Sequence, residues 1–224
     1  MRLIVAASCL ILLCQVSFAQ SADAPQAAPP RDEGKPAAQK ADQASPAETL
    51  TPAQALVPVF QKCQRALDDK ATASALDLCK QSLDLSVKAG ELTEFDQLAM
   101  MNTHMSYGRA LALAKRYDDA LAEVNKAVEV AKAHLKVSDE QYAMPFYWRA
   151  MVELHLRQTD AAFTDLSIAE ATYGRAIAAK PEMRDKYSHF LVSLLQEHAS
   201  LLDRMARPAE AAKLREEVRA ITGR

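Results

Sequence analysis

Glycine and surplus positive charge are both scarce in this 224-residue sequence. Its five glycines (Gly34, Gly90, Gly108, Gly174 and Gly223) lie far apart, so no glycine-rich loop is available to cradle a phosphate. Lysine and arginine total 27 against 29 acidic residues, a net charge of −2, and neither half of the chain is markedly basic. Nucleic-acid binding therefore lacks its electrostatic footprint. The five histidines, His104, His134, His155, His189 and His198, include no i, i+4 pair and no His-Glu-x-x-His, and no Gly-x-Ser-x-Gly elbow occurs. Zinc chemistry and serine hydrolysis have no local support, and nothing calls for a cofactor. The period-two alternation of a half-buried strand is missing as well. What remains is a chain 50% hydrophobic, rich in alanine, leucine and charged residues, which is a helix-forming composition with enough apolar mass for a core.

The first residues read as an address. Arg2 precedes an apolar run from Leu3 to Val16, and Ser17-Phe18-Ala19 places small residues where a signal peptidase reads them. The expectation is a signal peptide over 1–19, cleaved after Ala19, and a periplasmic or secreted protein. Retention as an anchor is the alternative, disfavoured because the run is shorter than the roughly 20 residues a spanning helix needs. Between Gln20 and Glu48 there is no Val, Ile, Leu, Met or aromatic residue, while alanine and proline alternate with isolated charges. Such a segment buries too little surface to offset its ordering entropy, so 20–50 is expected to be a disordered Ala/Pro-rich linker.

From Thr51 to residue 224 the punctuation is helical. Thr51-Pro52-Ala53-Gln54 forms a capping box with proline at the first helical position. Ser138-Asp139-Glu140-Gln141 repeats that arrangement, and Thr93-Glu94-Phe95-Asp96 approximates it. Gly90 suits a helix end, Pro181 and Pro208 open two further helices, and Pro58 either kinks the first helix or begins it. Apolar spacing of three and four predicts eight helices over 52–69, 72–89, 93–115, 118–136, 139–157, 160–179, 182–206 and 208–221. Short connections force successive helices antiparallel, giving an all-α row of four hairpins.

The hairpins are alike in sequence. The clearest contains Tyr107-Gly108-Arg109-Ala110-Leu111, then Tyr117-Asp118-Asp119-Ala120, then Val124 and Ala127. It resembles the tetratricopeptide repeat (TPR), with a small residue midway along the first helix, an aromatic at the turn and small–large–small packing in the second. The equivalent small residues Ala75, Ala120, Ala162 and Ala211 are spaced like the elongated variety of about 42 residues found in kinesin light chains. The resemblance implies a right-handed α-solenoid. The third hairpin requires a one-residue deletion near its turn, and the first places Lys62 in a packing slot unless its register slips.

The same resemblance implies a peptide or protein ligand on the concave wall of first helices. Carried onto this chain, the wall residues are Asn102, Met105, Ser106 and Arg109 in the second hairpin. The third contributes Trp148, Arg149 and Val152 with the deletion, or Tyr147, Trp148 and Met151 without it. The fourth contributes Ser193, Gln196, Glu197 and Ser200. Arg109 and Arg149 could together present donors to an acidic segment, or be solvated surface arginines. Tyr142, Phe146, Tyr147 and Trp148 form an aromatic cluster that cannot all face inward.

After leader removal only Cys63 and Cys79 remain. Their midpoint falls in the first predicted turn, so they stand level on facing helices, and an oxidising compartment favours a disulfide over two buried thiols. These features point to a non-enzymatic scaffold of the cell envelope whose partner is another envelope or secreted protein. A self-associating homodimer is the rival, and a helical small-ligand carrier or enzyme the remoter alternative.

Overall fold

The computed structural model describes residues 51–89 and 94–223. The leader, the linker, and the Gly90 and Thr93 helix signals lie outside the described residues. All described secondary structure is helical: α1 Pro52–Asp68, α2 Thr72–Lys88, α3 Glu94–Leu113, α4 Tyr117–His134, α5 Glu140–His155, α6 Thr159–Ala179, α7 Arg184–Arg204 and α8 Pro208–Thr222. Thr51 Oγ1 accepts from the Gln54 amide at 3.3 Å while Gln54 Oε1 accepts from the Thr51 amide at 2.9 Å, so the first capping box forms in both directions. The second does not. The cap of α5 is Asp139 rather than Ser138, and its carboxylate turns back to accept from the Lys136 amide at 3.1 Å. Pro58 lies inside α1. Pro181 opens a three-residue 3-10 turn ahead of α7 instead of α7 itself.

One turn geometry recurs in every hairpin. Lys70, Lys115, Arg157 and Ala206 are the only described non-glycine residues with positive φ, at 53°, 62°, 62° and 57°. Each sits just past a first helix, five positions before Ala75, Ala120, Ala162 or Ala211. The residue after each donates its amide to the carbonyl five back, as from Ala71 to Ala66, Arg116 to Leu111, Gln158 to Glu153 and Arg207 to Leu202, all at 2.9 Å. This is the Schellman ending, which satisfies orphan carbonyls of the first helix and aims the chain into the second. Because all four turns superpose in register, the third hairpin needs no deletion, and that expectation is corrected.

The register that follows aligns Cys63, Gly108, Ala150 and Ala199 as the small residues facing those alanines. At Gly108 the approach of α3 to α4 is closest: an added Cβ would meet Val124 Cγ2 at 2.5 Å and the Ala120 carbonyl at 3.2 Å. In the first hairpin the same two register positions, those of Gly108 and Val124, hold Cys63 and Cys79, which form a disulfide with Cα atoms 4.9 Å apart. Lys62 does occupy the slot of Tyr107, without any slip. Tyr107 packs against the buried cluster of Cys63, Ala66, Leu67, Ala75, Cys79 and Ala110, where the first hairpin meets α3. In the first hairpin that slot meets no described neighbour, and Lys62 is exposed.

First helices pack on first helices, α1 against α3 and α3 against α5, while the Tyr147 ring meets Phe190 of α7 at 5.0 Å. They form one continuous inner wall. The largest buried cluster lies where hairpins three and four meet, around Phe146, Leu166, Leu194 and Leu195, each fully buried.

Candidate functional site

The inner wall centres on one contact. The Arg109 guanidinium of α3 lies 4.2 Å from the Trp148 ring centroid on α5, a cation–π arrangement that stiffens both side chains. Arg109 Nη1 also donates to Gln64 Oε1 at 3.3 Å, and Gln64 Nε2 donates to Ser106 Oγ at 2.7 Å, so α1, α3 and α5 are linked across the wall. Asp68 stands nearby: burial raises its carboxyl above the ordinary value and Arg109 pulls it back. On the other side a row of rings continues from Trp148 to Tyr147 at 5.2 Å and from Tyr147 to Phe190. Trp148 Nε1 is buried and has no hydrogen-bond acceptor, which is uncommon for an indole.

The structure separates the sequence-predicted wall residues into two groups. Asn102, Arg109 and Trp148 are half-buried on the wall. Met105 and Ser106 are instead packing residues, 7% and 0% exposed. Met105 joins Met101, Ala127 and Ala131 under Met144 and Trp148, and Ser106 is spent on Gln64. Both lie where α1 and α5 press against the flanks of α3.

Arg149 is also corrected. Its guanidinium grips Asp165 of α6 with two bonds, Nε to Oδ2 at 2.5 Å and Nη2 to Oδ1 at 2.8 Å, and Nη1 donates to Asn125 of α4 at 3.0 Å. It therefore fills the junction slot equivalent to Tyr107 and is not paired with Arg109 on the wall. Val152 is buried at 2%. In the deletion-free register the third hairpin lines the wall with Met144, Tyr147, Trp148 and Met151, all half-buried, and the fourth with exposed Ser193, Gln196, Glu197 and Ser200. Gln64 and Met144 were missed by the sequence reading. The constant twelve-residue interval from Cys63 to Ala75 and from Ala150 to Ala162 was the signal that identifies both.

The Arg149 junction carries an unbalanced charge. Glu153, with 8% of its side chain exposed, lies 3.8 Å from Arg149 Nε, and its Oε2 has no partner. Burial, then the Asp165 carboxylate, push its pKa up to about 7, with Arg149 opposing. Among the described residues no three His, Cys, Asp or Glu side chains gather as a metal site, and no helix is long and apolar enough to cross a membrane.

Geometry of this kind defines a TPR-like helical repeat protein. Two solved structures of a Podosopora anserina protein assigned as a kinesin light chain, with nearly identical TPR-like repeats, share the fold. One, a single-substitution form, aligns with TM-score 0.51 at 16% identity over 78% of this chain and 97% of that chain. The other aligns with TM-score 0.50 at 16% identity over 76% and 96%. No protein-family model and no curated protein matches the sequence.

Proposed function

We propose that this protein is a non-enzymatic adaptor that captures an extended segment of another envelope or secreted protein on its inner wall. The observation that carries the reading is the Arg109–Trp148 pair. A large aromatic and an arginine, held rigid by neighbouring helices at the middle of a concave row, form the residue pair that contributes most per contact at interfaces. Met144 and Met151, one turn to either side, supply adaptable apolar surface. The Cys63–Cys79 disulfide and the leader-like residues 1–19 support an oxidising compartment for this work.

The test is affinity capture from an envelope extract, comparing wild type with an Asn102→Lys, Met151→Lys double variant. Both positions are half-exposed on the wall, so circular dichroism should be unchanged while the captured species falls at least tenfold. Undiminished capture by a folded double variant would place binding elsewhere.

A further inference from the structure

A second candidate site lies away from the inner wall, between the second helices α6 and α8, floored by α7. The cleft has a volume of about 340 Å³, within the range of small-ligand sites. The repeat register shows why it is open. The slot that precedes the small first-helix residue holds Tyr107 in hairpin two and Arg149 in hairpin three, both long enough to fill their junctions. In hairpin four it holds His198. The register position of Leu83 and Val128, buried at 7% and 1%, is occupied in α6 by Glu170. Two packing residues have thus been replaced by a hydrogen-bonded polar pair at this junction, and departures from a repeat pattern mark candidate functional positions.

His198 Nδ1 and Glu170 Oε2 are 2.7 Å apart. With Nδ1–H directed to the Glu170 carboxylate, Nε2 is the ring's remaining hydrogen-bonding position. That Nε2 is buried without a partner, on a side chain 6% exposed. Phe163, Leu202 and Leu214 supply apolar walls. Glu210, at the rim, is already neutralised by two 2.7 Å bonds from Arg207, whereas among the described residues the ion-pair partner of Glu170 is His198 rather than a lysine or arginine. Glu217 adds a further carboxyl near Glu170, and burial first, then the Glu170 charge, raise it above its ordinary value.

We propose that this cleft binds an alkylammonium group, its N–H donors directed to His198 Nε2 and Glu170 and its carbon chain laid along Phe163, Leu202 and Leu214. The group could belong to a free amine or to a lysine side chain. Lys213, which also lines the cleft, would compete with it.

The test titrates the full chain with n-butylamine, n-butanol and n-butyrate, read by calorimetry and by the ¹⁵N resonances of the His198 ring. Butylamine should saturate and shift Nε2, butanol should bind at least tenfold more weakly, and butyrate should not saturate. Glu170→Leu and His198→Tyr restore the residue types of the other junctions, so they should fold, raise the melting temperature and each weaken butylamine at least tenfold. Lys213→Gln should tighten it severalfold. Binding of Nα-acetyl-lysine amide tighter than butylamine would assign the group to a protein side chain, and the reverse order to a free amine. Saturation by butyrate, loss of affinity in Lys213→Gln, unchanged affinity in both Glu170→Leu and His198→Tyr, or no saturable shift with butylamine would overturn the proposal.

Discussion

Gly108 and Glu153 show how single residues carry the repeat and depart from it. A methyl group at Gly108 would collide with Val124 Cγ2 and press on the Ala120 carbonyl, and neither a packed valine nor a helix backbone can retreat cheaply. Gly108→Ala should therefore lower stability by about 1–3 kcal/mol despite its better helix propensity, read as a fall in the denaturant midpoint. Glu153 stands where the matching positions of hairpins two and four hold Leu111 and Leu202, both buried. In the fold its carboxyl keeps its proton up to about pH 7, against a reference value of 4.5. The native state thus binds more protons than the unfolded chain between those values, and stability falls as pH rises through the interval. Replacing it by glutamine removes the penalty. Glu153→Gln should match wild type near pH 4 and exceed it by up to about 3 kcal/mol at pH 8, measured by urea unfolding across the range. A difference that does not vary with pH would show that folding leaves the pKa of the carboxyl unchanged.

Among elements, the helix boundaries were the most legible part of the sequence, because proline at the first position and a capping box leave little choice: Thr51 with Pro52, and Pro208, open helices at the expected residues. The ends were less visible. Natural Schellman turns usually advertise themselves with glycine, and here Lys70, Lys115, Arg157 and Ala206 take the left-handed conformation instead, so the register of the third hairpin had to come from the structure. A β-carbon in that conformation costs about 1 kcal/mol. Ala206→Gly should consequently raise stability by about 0.5–1 kcal/mol, less than the full strain because glycine also frees the unfolded chain. A lower melting temperature would mean that the turn is held by side-chain contacts of Ala206. The first hairpin uses a different device, the Cys63–Cys79 bridge, at register positions that glycine and valine occupy in the second. Closing a loop of this size stabilises by about 3 kcal/mol in the chain-entropy model, so Cys63→Ala with Cys79→Val should lower stability by about that amount in the absence of reductant.

For the whole molecule, the sequence conveyed the inner wall but only part of its lining. Arg109 and Trp148 were legible because their spacing from a small residue survives any reading of the turn. Met105 and Ser106 were not excluded in advance, since pattern gives the face a residue occupies and not how tightly the flanking helices close over it. Arg149 was misplaced by the single-residue register error, which exchanges a wall position for a junction position. Stacked hairpins contact chiefly their neighbours, so stability should vary along the row. The two ends of the described row differ: α8 buries only Ala211 completely, while α1 is cross-linked to α2. Native-state hydrogen exchange should then find α8 opening first at low denaturant, with α3 to α6 protected up to global unfolding and α1 close to them. Adding reductant should bring α1 and α2 down toward α8 and leave α3 to α6 unchanged, because the bridge constrains only the hairpin that contains it. If all eight helices exchange through one opening with and without reductant, the hairpins are coupled more strongly than nearest-neighbour stacking provides, and the row behaves as a single cooperative block.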